Sequence, residues 1–208
     1  MNIKRLILEG ENVGLDFKKT ISNAEKIAKT LVAFANNRGG RLLIGVADDG
    51  TIKGVKSEDE EKYMISKAAN QYCKPAVSHS FEETYVDDKL VLVVDIPKSD
   101  TKPHYALNDD GKWWVYFRVQ DKSILASKII VEVLKEDSKE TGPLIAYSDY
   151  EKKLLTYLEE NGRITLKEFT KLTRSSHKKA QRIFVNLILA GVIMPHLSEK
   201  DEYYTSAT

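Results

Sequence analysis

Ala33-Phe-Ala-Asn-Asn-Arg-Gly-Gly-Arg-Leu-Leu-Ile-Gly-Val-Ala-Asp-Asp-Gly50 decides how the first half of the chain folds. Upstream of it, Ile27, Leu31, Phe34 and Ala35 recur at helical spacing. The Gly39-Gly40 pair ends that helix, because glycine takes the left-handed C-terminal conformation without a Cβ penalty. Arg41 to Val46 reads as a buried strand, and Asp49-Gly50 as a hairpin turn leading into a strand over Thr51 to Val55. Ser22, with Glu25 three residues on, has the spacing of a capping box at the start of the helix. Farther out, Leu15 to Phe17 alternates like a short strand, and 57–72 reads as a helix. Leu90 to Ile96 is an apolar strand stopped by Pro97. Trp113 to Val119 reads as another strand after the Asp110-Gly111 turn, and Val119 to Leu134 begins as a loop and becomes helical. These elements predict an α+β domain with a mixed sheet and hairpins.

The chain of 208 residues has a formal net charge of +1, so any polyanion site must come from a local patch rather than from the whole molecule. Its single cysteine, Cys73, excludes an intramolecular disulfide and a cysteine-rich zinc site. The N-terminus has no long apolar run, and no stretch approaches the ~20 apolar residues of a membrane span. Membrane partners are therefore not expected, and a cytoplasmic location is.

Lys135 to Tyr147 is rich in charge, Ser, Thr, Gly and Pro, as linkers are. The expected division is a first domain over 1–135, a linker over 136–147 and a second domain over 148–208. In the second, Ser148 and Glu151 make a capping box for a helix ended by Gly162. Thr165 and Glu168 repeat the pattern for a helix carrying Leu166, Phe169 and Leu172. Ser175 or Ser176 opens a third helix with Ile183, Leu187 and Ile188 inward, stopped by Gly191. Val192 to Met194 and Tyr203 to Thr205 form a two-stranded wing.

That order is a winged helix-turn-helix, which sets its third helix against a major groove about 12 Å wide. Lys171, Arg174, His177, Lys178, Lys179 and Arg182 lie around the start of this helix. Cations at a helix N-terminus oppose the macrodipole, so folding alone does not favour them there, whereas a phosphate backbone does. Ser175, Ser176 and Gln181 are placed to touch base edges.

The opening stretch is a poor phosphate cradle: it lacks the Lys and Ser/Thr of a P-loop, and its Gly pair ends a helix rather than starting one. Acids flank it. A Mg²⁺ or Mn²⁺ site for phosphodiester hydrolysis needs two or three converging carboxylates and a nearby cation. Glu11, Asp16 and Asp48 or Asp49 supply candidates, with Lys18 as the cation. The same acids could instead pair with Lys18 or Arg38 in a structural role. Asn36, Arg38 and Arg41 are the nearby polar and basic groups for a nucleic-acid backbone. His79, His104, His177 and His196 have no metal-ligand spacing and read as surface or capping residues.

Three segments together resemble the Schlafen AlbA-like domain: Glu11-Asn-Val-Gly-Leu-Asp-Phe-Lys18, Ile27 to Asn36, and Gly39 to Val46 with Asp49-Gly50 and Gly54-Val55. Lys102-Pro103-His104-Tyr105, Val115 to Val119 and Ser123 to Ala126 are similar to the family's closing segment. The resemblance spans about residues 5 to 135. It implies a nucleic-acid-binding protein and, with a C-terminal winged helix, a transcriptional regulator acting on DNA. It also implies a homodimer, since AlbA-like domains tend to pair. Its alternative implication is a metal-dependent endoribonuclease acting on RNA. Glu11, Asp16 and Asp49 (or Asp48) would then hold Mg²⁺ or Mn²⁺; otherwise no cofactor is expected. The family usually has Glu where this chain has Asp16, and one methylene moves a ligand oxygen by about 1 Å, enough to impair metal geometry.

Overall fold

The protein is described here by a computed structural model, which covers residues 2–138 and 147–207. The chain divides into two compact units, Met1–Leu125 and Ala126–Thr208.

The first unit runs α1 (Ile3–Glu9), β1 (Leu15–Lys18), α2 (Ala24–Asn36), β2 (Gly39–Ile44), α3 (Glu58–Gln71), β3 (Cys73–Lys74), β4 (Ser80–Val86), β5 (Lys89–Pro97), β6 (Tyr105–Leu107), β7 (Trp113–Trp114), β8 (Tyr116–Val119) and β9 (Lys122–Leu125). The main sheet has the order β1-β2-β5-β4, with β1 and β2 parallel and the other pairs antiparallel. A parallel pair needs a long crossover, and α2 supplies it. β3-β6-β7 and β8-β9 form two smaller sheets.

The apolar runs of β2 and β5 are continuous because both faces of the sheet are covered. Leu42, Ile44, Leu92, Val94 and Ile96 pack with Ile27, Leu31 and Phe34 of α2 and with Ile65 and Ala68 of α3. Leu43, Val91 and Val93 point the other way and pack with Leu15, Phe17 and Ile3. The period of two thus sends alternate residues of one strand into two different cores.

Several local expectations change. Asn23, not Ser22, caps α2, accepting from Lys26 N at 2.9 Å. The helix ends at Asn36, and Gly39-Gly40 is already the start of β2. The expected strand over Thr51 to Val55 is reduced to one bridge between Val46 and Ile52. Trp113 to Val119 is two strands broken at Val115. The mostly polar strand β4 and the short α1, which carries Ile3, Leu6 and Ile7 at helical spacing, add to the expected elements. β4 and β5 join through Asp87 and Asp88, both with positive φ, which matches a tight hairpin turn.

The second unit holds α4 (Lys128–Asp137), α5 (Asp149–Asn161), α6 (Leu166–Thr173), α7 (His177–Leu189), β10 (Ile193–Leu197) and β11 (Glu202–Ser206). Both expected capping boxes are present, at Ser148 with Glu151 and at Thr165 with Glu168. Ile164 adds a third strip to the β10-β11 hairpin through paired backbone bonds with Tyr204, each 2.9 Å. Phe184 is the hub of the core: its ring meets Tyr204 edge-on at 4.6 Å and Phe169 at 5.3 Å. Ile129 of α4 is buried in the same core. The unit therefore begins before α4, whereas the sequence led us to end the first domain at Lys135. Of the expected linker, residues 139–146 lie outside the described residues.

Gly39 has φ +80, and a Cβ built on it would stand 2.6 Å from the Ile96 carbonyl oxygen and 2.7 Å from Lys98 N. Both neighbours are backbone, on the paired strand and just after its end, so neither can swing aside. Gly39→Ala should lower the stability of the first unit by at least about 2 kcal/mol, read from chemical denaturation, because left-handed strain and overpacking add.

Candidate functional site

Glu11, Asp16 and Lys18 do come together. β1 carries Asp16 and Lys18 on one side, and the Asn12–Gly14 turn folds Glu11 back along the strand, with Asn12 accepting from Gly14 N at 2.8 Å. Glu11 Oε1 accepts from Phe17 N at 2.7 Å. Lys18 Nζ lies 2.9 Å from Asp16 Oδ2 and 3.9 Å from Glu11 Oε1. Desolvation, then the nearby Asp16 charge, raise the Glu11 pKa, against the Phe17 N–H and Lys18.

Asp16 is only 4% exposed, and Arg118 only 2%. Arg118 Nη2 donates to Asp16 Oδ1 at 2.9 Å and to the Leu15 carbonyl at 3.2 Å. Its Nε donates to the Asn12 carbonyl at 3.2 Å, its Nη1 to Ser123 Oγ at 3.4 Å, and its plane lies over the Phe34 ring at 4.9 Å. Asp16 Oδ2 has only the ionic contact with Lys18, with no directed hydrogen bond. No local pattern around Asp16 points to this arginine, since the partners are separated by 102 residues.

Asp48 and Asp49 stay outside this cluster. Both are exposed in the turn after β2, where Asp49 Oδ1 accepts from Thr51 N at 2.8 Å and bonding to Thr51 lowers its pKa. Among the described residues no group of three or more His, Cys, Asp and Glu is arranged to hold a metal ion. The expected set of Glu11, Asp16 and Asp49 is thus not assembled for Mg²⁺ or Mn²⁺ among the described residues: two acids converge, and one of them is already ion-paired with Arg118 and Lys18.

The neighbouring polar residues also separate. Asn36 is buried: it donates to the carbonyls of His104 and Tyr116, each at 2.9 Å, and accepts from His104 N at 2.7 Å. It is therefore not on the surface patch expected from the sequence. Arg41 Nε pairs with Asp95 at 3.1 Å. Arg38 is exposed, and with Arg41, Glu9, Asn12 and Gly39 it lines an open groove of about 440 Å³.

In the second unit, α7 turns Ala180, Ile183, Phe184 and Leu187 into the core. Lys171, Arg174, His177, Lys178, Lys179 and Arg182 are exposed. Lys179 Nζ stands 3.7 Å over the Tyr150 ring, so its ammonium is held against an aromatic face within the unit. Ser176 caps α7 by accepting from Lys179 N at 3.3 Å, and Ser175 Oγ accepts from Thr173 Oγ1 at 2.9 Å. Gln181 is half-buried. Arg174, in the left-handed conformation, forms the turn between α6 and α7.

A family model described as "Schlafen, AlbA_2" matches residues 11–127, more than half of the chain. The chain belongs to this family. Membership suggests a nucleic-acid-binding role. Among solved structures the chain is similar to the DIP2311 protein from Corynebacterium diphtheriae, at 16% identity and a TM-score of 0.48 over 66% of this chain. It spans 30% of that protein's length. It is also similar to the N-terminal domain of a protein from Nitrosomonas europaea related to the ATP-dependent DNA helicase RecG. That match has 23% identity and a TM-score of 0.45, covering 57% of this chain and 88% of the other. Among the described residues no helix is long and apolar enough to cross a membrane.

His104 is 2% exposed, against the expectation of a surface histidine. Burial, then the Lys102 charge, push its imidazole below the usual value, while the Pro75 carbonyl opposes them. The unfolded chain therefore takes up this proton more readily than the folded one, and His104 costs stability as pH falls below the ordinary histidine value of about 6.5. The melting temperature should drop between pH 7.5 and 5.5, and the drop should be smaller in His104→Gln.

Arg118 has the larger structural effect. Arg118→Ala strands the buried Asp16 carboxylate and should cost about 3–5 kcal/mol in a denaturant melt, since breaking one side of a buried pair leaves an uncompensated charge.

Proposed function

We propose that the second unit is a winged helix-turn-helix and that the protein is a transcriptional regulator that binds DNA through α7. One observation carries this reading. Arg174, His177, Lys178 and Arg182 are exposed around the start of α7, and none has an ion-pair partner among the described residues. Seven Lys and Arg and a single acid, Glu168, lie between Arg163 and Arg182. Such a patch on a chain of net charge +1 favours a polyanion at one place on its surface.

The roles then divide. Arg174, Lys178 and Arg182 hold phosphates, Lys171 extends the track from α6, and His177 and Gln181 face base edges. Ser175 and Ser176 shape the turn and the cap. Arg38 gives the first unit its own contact with a nucleic-acid backbone. Pairing of two copies would place two such helices on a two-fold site.

The endoribonuclease reading draws less from the geometry. It keeps Glu11, Asp16 and Lys18 as neighbours, but Arg118 neutralises Asp16, and Asp48 and Asp49 serve a turn.

Lys178→Glu with Arg182→Glu should abolish most duplex binding in a titration at low salt. With each phosphate contact worth a slope of about 0.9 in log K against log salt, the double variant should flatten the salt dependence by about 2. An unchanged slope would remove α7 as the DNA-reading element.

A further inference from the structure

The first unit holds a hydroxyl beside a buried imidazole, in a cavity of about 270 Å³ lined by Ala35, Ser78, Lys98, Ser99, Thr101 and His104 among others. His104 Nδ1 lies 2.9 Å from the Pro75 carbonyl oxygen, which can only accept. Nδ1 therefore carries the ring proton, and Nε2 of the neutral ring is left as an acceptor. Ser99 Oγ is 2.7 Å from Nε2 and donates to it. That is within the roughly 2.6–3.2 Å reach of an activated nucleophile and its base.

The surroundings hold this pair in place. Asn36 grips the His104 backbone through both its N–H and its carbonyl. Ser99 N donates to the Ala35 carbonyl and Thr101 N to Ser99 Oγ, each at 3.1 Å, fixing the loop after β5. Burial keeps the imidazole neutral, as a base must be. Ser99 is only half-buried and forms part of the cavity wall, where a small molecule can approach it.

We propose that Ser99 and His104 are a nucleophile and general base for the hydrolysis of small uncharged carboxylic esters. Ser99 Oγ bonds to the acyl carbon while its proton passes to His104 Nε2. The bond to the leaving alcohol then breaks, and His104 returns the proton to that oxygen. Water attacks the acyl-Ser99 ester, giving a proton to His104. Ser99 recovers its proton as the carboxylic acid leaves. Lys98 is the cation near the developing oxyanion. Asp100 on the same wall balances its charge, which disfavours a strongly anionic substrate, and the cavity volume limits the acyl group to a few carbons.

The test treats the full chain with a small fluorophosphonate, which forms a stable bond to an activated serine with loss of fluoride. Intact mass and peptide mapping should find one adduct, on Ser99, and none in Ser99→Ala. His104→Gln should slow labelling by roughly 100-fold or more, the ordinary contribution of a general base. A thermal melt of that variant shows whether it is folded. If it is not, Lys98→Ala, at an exposed position, takes its place and should slow labelling by about tenfold or more. A folded parent protein without a Ser99 adduct overturns the proposal. So does labelling of the folded variants at the parent rate.

Discussion

A single guanidinium holds the first unit's pieces in register. Arg118 leaves β8, crosses the face of Phe34 from α2, and ends against Asp16 of β1 and two carbonyls just before it. A charge this deeply enclosed is tolerated only when nearly all its donors are used, and four of its contacts are within hydrogen-bonding range. The small β8-β9 hairpin, the crossover helix and the edge of the main sheet are thereby committed to one arrangement. The same contact fixes where Asp16 points: its carboxylate faces inward toward two cations, Arg118 and Lys18.

Much of this was readable in the sequence where the signal was local. The helix over Ile27 to Ala35, the strands at Leu42 and Val93, and the capping boxes at Ser148 and Thr165 depend on neighbours a few residues away. The exposed cations around α7 followed from the same periodicity, because Ile183 and Leu187 fix which side faces inward. What stayed hidden depended on distant partners. Asn36 looks like a surface amide until His104, 68 residues later, folds onto it. Asp16 reads as a reactive acid until residue 118 is placed beside it. β4 escaped notice because a polar edge strand has no inward-facing pattern of its own.

The two units handle charge in opposite ways. In the first, Arg41, Lys18 and Arg118 each face a carboxylate. In the second, the cations around α7 are left facing solvent, and the one that is engaged, Lys179, lies on an aromatic ring rather than an acid. A ring contact of this kind leaves the ammonium its full charge. The charge of Lys179 therefore still adds to that of the exposed cations around it.

The membership of α4 in the second unit bears on how the chain can be dissected. Ile129 fills a place among Leu154, Phe184 and Leu187, and Ser127 donates to Glu202 on the hairpin at 2.7 Å. A fragment beginning at Ser148 would carry every residue of the basic face and yet lack a wedge of its own interior. The smallest piece that retains its whole interior starts at Ala126, so the helix that looks like a trailing end of one half is the foundation stone of the other.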